Sequence, residues 1–379
     1  MSDRSNRARG RSTWPVRRVD AVRHLLHPRQ MRDSLRLTRQ PFWRNASLAG
    51  MQSALAAAIA LPLVYLSPWS HLIGYAALGA LVALFGRFAP ERSRNSILFL
   101  CVVVQTFAVF IMSAAGWLGM PLLAMFIILA LACGVFFFIA AAGSFGPPGP
   151  LIFIFAAGAG MSHAATFQQV LERSAATASV ALLAWAICAA SETFRHHPAP
   201  DLALPAERSP SLRPLLIASA RSAFAAAVAI FAAHALGADY PVWAAMGALA
   251  VMQGAHLHLS MNRAIQRMAG TVVGALLVWF ILDQNPSIWT VFGLLVILQY
   301  ATELIIGSNY ALGQILVTPM ALLMTHLAAP HMEGRAMVSE RVTDTLLGAA
   351  IGIVIAVAWS SLEDRHRLAR YVAQRRSSS

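Results

Sequence analysis

Twelve apolar runs of about 17 to 23 residues, separated by polar or Gly/Pro breaks, fill the chain from Ser47 to Ser360. A run immersed in hydrocarbon must satisfy its own backbone hydrogen bonds, so each is read as an α-helix. The expected fold is an all-α polytopic membrane protein of about 12 transmembrane helices. The first-half runs fall at 47–66, 71–86, 96–115, 120–141, 150–165 and 169–190. Those of the second half fall at 215–236, 240–255, 264–282, 287–306, 309–327 and 340–360. The runs at 71–86 and 240–255 are short, and are read as tilted, broken or partly re-entrant. Charged residues are 12% of the 379 positions, against roughly 25% in a soluble domain. No stretch between spans is long enough for a second globular domain.

Orientation follows from the arginines, which supply all 29 basic residues. Twelve of them precede position 45, against Asp3, Asp20 and Asp33. That arm, 1–45, is expected to lie on anionic lipid at the cytoplasmic face, with 19–37 as an interfacial helix. With the first terminus inside, 25 of the 29 arginines fall in cytoplasmic segments, as the positive-inside rule requires. Both termini are therefore expected in the cytoplasm. The arm has one aromatic among its arginines before Phe42, too few to suggest single-strand nucleic-acid binding. Cys101, Cys133 and Cys188 lie inside apolar runs as packing residues, and no cofactor or metal site is expected. Paired His256 and His258, and His163 and His331 on the opposite face, lack helical ligand spacing.

The chain also repeats itself. At an offset of 168 or 169, Arg44 falls on Arg213, Tyr75-Ala-Ala-Leu-Gly-Ala-Leu81 on Trp243-Ala-Ala-Met-Gly-Ala-Leu249, Gly86 on Gly254, and Glu172-Arg173 on Glu340-Arg341. This divides the chain into the arm, a first transmembrane repeat at 46–191, a linker at 192–213, a second repeat at 214–361 and a basic tail at 362–379. An even number of spans per repeat gives parallel repeats about an axis along the membrane normal, with a pathway expected between them.

The second half reads Tyr240-Pro-Val-Trp243, Asn262-Arg263-Ala-Ile-Gln-Arg267-Met-Ala-Gly270-Thr271-Val-Val-Gly274, Asn309-Tyr310, Thr318-Pro319 and Glu340-Arg341-Val-Thr-Asp344-Thr-Leu-Leu-Gly348-Ala-Ala-Ile-Gly352. This order resembles the fusaric acid resistance family of aromatic acid exporters of bacterial inner membranes. The resemblance implies efflux of weak, often aromatic, carboxylic acids driven by the proton gradient. The first half lacks the Arg-x-x-Gly-Thr-x-x-Gly element, so an asymmetric site is implied.

Individual residues carry competing readings. Arg263 and Arg267 share a helix face and either attract a carboxylate or snorkel to headgroups. Arg221, six or seven residues into the seventh run, is either a functional residue in contact with substrate, because an intramembrane charge is costly, or snorkels back to the cytoplasmic face. Gln253, Asn309, Tyr310 and Thr318 either line a cavity beside broken helix ends or make interhelical hydrogen bonds. Glu303 and Asp344 are the acids placed for proton coupling, although Arg341 and Asp344 at i, i+3 are also a natural pair. Gly270 with Gly274, and Gly348 with Gly352, are helix-packing pairs. The leading expectation is a secondary exporter of small organic anions, with Arg221 and Arg267 on the carboxylate. A passive anion channel and an envelope-assembly scaffold are the alternatives, and a homo-oligomer or a periplasmic accessory protein stays open as a partner. No acid pair, His cluster or activated nucleophile sits together at a membrane face, so an enzyme is not expected.

Overall fold

A computed structural model describes residues 43–87, 89–195, 211–254, 257–328 and 334–360. The arm up to residue 42, linker residues 196–210 and the tail beyond 360 lie outside the described residues, as do His256 and His331. Among the described residues there are twelve α-helices and no strand. In chain order they are α1 Trp43–Tyr65, α2 Ile73–Ala80, α3 Glu91–Trp117, α4 Leu122–Ala142, α5 Leu151–Gly160 and α6 Phe167–Ala190. The second six are α7 Leu212–Ala235, α8 Val242–Met252, α9 Leu257–Asp283, α10 Ile288–Ile306, α11 Tyr310–Ala328 and α12 Gly334–Ala358.

The helix starts are written locally. Pro90, Pro121, Pro150 and Pro241 stand at the caps of α3, α4, α5 and α8, where a missing N–H costs nothing. Thr166 accepts from the Gln169 amide at α6, and Ser287 from the Thr290 amide at α10. Among the described residues nine helices are long and apolar enough to cross a membrane. Their outward faces expose Leu55, Phe107, Leu131, Leu276, Phe280 and Ile297, a surface that hydrocarbon suits and water does not. The chain is an integral, multi-pass membrane protein.

The other three runs are not full crossings. α2 with its flanking 3₁₀ turns covers Ser70–Leu84, α5 has 10 residues and α8 has 11. At 1.5 Å per residue an 11-residue helix is about 17 Å long, little more than half of the roughly 30 Å hydrocarbon layer. Every residue of α2 and of α8 is buried. The short length of α5 is a departure from the run expected at 150–165, because Met161, Ser162 and His163 turn away from the helix before α6 begins. The short helices are sheathed by the long ones and sit where the two halves meet. Gly74 of α2 lies against Ala328 of α11, and Gly158 of α5 against Val242 of α8.

Helix neighbours recur six helices apart. α2 packs on α6 as α8 does on α12, α3 on α5 as α9 on α11, and α3 on α6 as α9 on α12. The pairings of α4 with α7 and of α10 with α1 also cross between the halves. The correspondence extends to atoms. A Cβ on Gly79 would meet Thr177 O at 2.6 Å and Ala181 N at 2.9 Å, and one on Gly247 would meet Thr345 O at 2.8 Å and Ala349 N at 3.1 Å. Small residues are what allow backbones to approach so closely. Gly270 and Gly274 face the first turns of α11 in this way, and Gly348 and Gly352 face α8.

Polar contacts tie the halves at the end where α1 begins. Ser53 Oγ donates to Gln299 Oε1 at 2.7 Å, joining α1 to α10. Buried Arg87, between α2 and α3, reaches Glu303 of α10 at 3.1 Å. Arg94 donates to Gln52 Oε1 at 2.8 Å and pairs with Glu192, which Arg195 also holds at 2.9 Å. Burial pushes the Glu192 carboxyl up, but the Arg195 and Arg94 guanidiniums more than offset it and hold it below its ordinary value.

Gly348→Ala places a Cβ 2.0 Å from Ala244 O, with backbone on both sides and no side chain to yield. It is expected to cost about 1–3 kcal/mol and to lower the detergent-solubilised melting temperature. Gly293→Ala, with nothing within 4 Å, is expected to leave that temperature unchanged or slightly raised. Glu192 contributes stability above its ordinary value of 4.5, lost as pH falls through its depressed folded value. Melting curves from about pH 6 to about pH 3 should therefore fall less steeply for Glu192→Gln than for the parent, and a parallel fall would remove Glu192 from the account.

Candidate functional site

The three largest fully buried side chains among the described residues are Trp243, Arg267 and Arg341. Two of the three are guanidiniums, 1% and 0% exposed. They converge because α9 and α12 pack together, with α8 and α11 against them. Residue 270, beside the first turn of α11, lies 13 residues into α9, which places that turn about 20 Å along α9. Gly348, beside Ala244 at the first turn of α8, is similarly deep in α12. The starts of α8 and α11 therefore lie inside the bundle, as expected of broken helices around a cavity.

Arg267 Nη1 is 3.4 Å from Tyr310 Oη and 3.4 Å from Gln314 Oε1, while its Nε and Nη2 have no hydrogen-bond partner. Arg341 stacks over the Trp243 ring at 5.3 Å, and its three nitrogens have no hydrogen-bond partner. Arg341 feels the charges of Arg267 and Asp344 and the Tyr310 hydroxyl. Asp344 is 3% exposed and its Oδ2 is unpartnered. The i, i+3 pair expected of Arg341 and Asp344 does not form as a hydrogen-bonded ion pair, because the guanidinium turns onto the indole face instead. Buried Thr271 and Thr345 add two hydroxyls without partners. Donors left open in a buried place favour an anion with several acceptor atoms, such as a carboxylate.

The first half shows the same scaffold closed. Arg173, at the position of Arg341, stacks over Tyr75 at 5.4 Å, and its Nη1 and Nη2 donate to Ser162 O at 2.7 Å and His163 O at 2.8 Å. Thr177, at the position of Thr345, donates to Tyr75 O at 3.2 Å. Leu98 and Val102, buried apolar residues, stand where the second half has Arg267 and Thr271.

The other sequence candidates scatter. Arg263 lies four residues before Arg267 on α9 and is part-exposed. Arg221 is part-exposed on α7, a helix that contributes none of the converging side chains. Asn309 Oδ1 accepts from the Ala311 amide at 2.8 Å and the Leu312 amide at 3.3 Å, so it caps α11. Thr318 returns its hydroxyl to Gln314 O at 2.8 Å. The Gln253 amide rests against Gly149 of the first half. Glu303 is held by Arg87 on the seam between halves, away from the free donors. Trp243, Gln314 and Arg341 were not singled out as site residues. The sequence offers Arg341 as the i, i+3 partner of Asp344, and only its alignment with Arg173 marks it.

Residues 228–355 match a family described as fusaric acid resistance protein-like. A relative described as the uncharacterized membrane protein YvaC of Bacillus subtilis (strain 168) is 32% identical over 141 residues, 37% of this chain. The matched part spans 22% of that relative's length. No solved structure matches. The segment that resembles the fusaric acid resistance-like family thus contains every residue of the buried arginine cluster, from Trp243 to Thr345.

Proposed function

We propose that this protein exports small organic anions across a bacterial inner membrane, with the substrate carboxylate held between Arg267 and Arg341. The observation that carries the reading is the pair of fully buried guanidiniums with open donors inside a membrane bundle. An intramembrane arginine costs about 2.5–3.5 kcal/mol even at the low end of measured scales, so one without a partner points to a ligand that completes it. The family description names resistance to an organic acid, and the residues that match it are those that build the cluster. Arginine forks suit the planar carboxylate, and the phenol ring of Tyr310 beside Arg267 offers an apolar face to an aromatic body.

The recurrence of helix neighbours six apart supports two parallel repeats about an axis along the membrane normal, with the deep helix starts between them. The bias of arginines to one side supports cytoplasmic termini, and the basic arm would lie on anionic lipid. Proton coupling is assigned to Asp344, the buried acid beside the free donors. Glu303 keeps a structural part, since Arg87 already neutralises it.

The test is uptake of labelled benzoate by proteoliposomes with and without an imposed pH gradient. The parent is expected to accumulate benzoate beyond equilibrium only with the gradient. Arg267→Ala and Arg341→Ala should each lower the rate about tenfold to a hundredfold, as loss of a charged hydrogen-bonding partner does. Arg173→Gln should retain transport per folded molecule, because Arg173 caps carbonyls in the first half. Downhill flux indifferent to the gradient would make the protein a channel. Full activity in both arginine variants would remove the cluster from the pathway.

A further inference from the structure

Resting on the reading of the cluster as a carboxylate site, we infer that Asp344 fixes the charge of the substrate: the site accepts an anion bearing one carboxylate and rejects one bearing two. The buried charges that face one another are Arg267 on α9 and Arg341 and Asp344 on α12. Their sum with Asp344 ionised is a single positive charge. Tyr310 of α11 and Trp243 of α8 bring polar or aromatic groups to the cluster but no formal charge. Glu340 on α12 acts on Asp344, but it is part-exposed and its carboxylate accepts the Tyr240 amide. Arg221 on α7, which also packs on α12, is part-exposed as well. Glu340 and Arg221 are part-exposed and open to solvent, so Arg267, Arg341 and Asp344 are the charges enclosed within the cluster, and Glu340 adds to the repulsion that a second carboxylate would meet there.

One carboxylate neutralises that balance. It can take donors from Arg341, whose Nε, Nη1 and Nη2 are open, and from Arg267, whose Nε and Nη2 are open. A second carboxylate would bring an unpaired negative charge into a buried site beside Asp344, which is unfavourable both as burial and as repulsion. Asp344 thus acts as a built-in second anion. Removing its charge raises the sum to two, which a dicarboxylate matches. The same arithmetic lets a proton on Asp344 take the place of the substitution, so that substrate charge and proton occupancy are linked at one site.

The measurement is equilibrium binding to the purified full chain in lipid nanodiscs at mildly alkaline pH, where Asp344 is ionised, with phthalate and its size-matched monoanion monomethyl phthalate, for the parent, Asp344→Asn and Asp344→Glu. The parent is expected to bind the monoester at least about tenfold more tightly than the diacid. Asp344→Asn should reverse or abolish that preference, and Asp344→Glu should keep it. A parent that binds the diacid as tightly as the monoester overturns the inference without any variant, so misfolding of a mutant cannot shield it. A preference unchanged in folded Asp344→Asn overturns it too, while binding lost in Arg341→Ala would leave the carboxylate site standing. If neither compound binds the parent, the carboxylate site itself falls, and the assignment of Asp344 with it.

Discussion

A guanidinium withdrawn from water and headgroups must be answered by acceptors, and the second half of this protein buries two of them with most of their donors open. The cost falls on whatever packs around them, since removing one partner of a buried charge leaves the other uncompensated. The surrounding helices limit that cost in two visible ways. Trp243 covers one face of Arg341 with its ring, and Tyr310 and Gln314 approach one nitrogen of Arg267. The cluster is held by the packing of its neighbours rather than by a completed hydrogen-bond network.

Rigidity in turn depends on close backbone packing. Hydrocarbon gives helices no hydrophobic reason to associate, so van der Waals contact and a few interhelical hydrogen bonds must serve. Gly348 on Ala244 and Gly270 on Ala311 lock α12 to α8 and α9 to α11, the four helices that carry the cluster. The exchange of α1 and α7 across the halves has a related effect. With α1 on α10 and α7 on α4, and with Arg87 on Glu303, each half packs a helix against the other.

Much of this was legible in the residues, for reasons that are physical. Apolar length and Pro or Ser/Thr caps locate helices because lipid leaves the backbone no alternative, and the expected runs agree with the observed helices to within a few residues at most ends. The short α5 was missed because Gly158 and Gly160 read as apolar small residues while the chain actually turns at Met161. The cluster was harder. Arg267 was a candidate from its depth and spacing, but Arg341 and Asp344 looked like a ready-made pair, and spacing along one helix cannot reveal that Trp243 on another draws the guanidinium away. Asn309 and Thr318 had the composition of cavity residues, yet each spends its polar atom on the local backbone of α11, a choice that short polar side chains make wherever a helix start offers it.

The comparison between halves explains why a site in one and not the other is the economical solution. The scaffold is shared down to the stacking of Arg173 on Tyr75 and Arg341 on Trp243, at 5.4 Å and 5.3 Å. Three local differences separate a closed structure from an open one. The chain after α5 turns so that two carbonyls reach Arg173, Leu98 and Val102 replace an arginine and a threonine, and Thr177 finds the Tyr75 carbonyl. Arg173 and Thr177 find acceptors within the first half, whereas Arg341 and Thr345 at the matched positions of the second half do not. Satisfied polar groups stabilise the first half, and the open donors at the matched positions of the second half are what the proposed carboxylate site rests on.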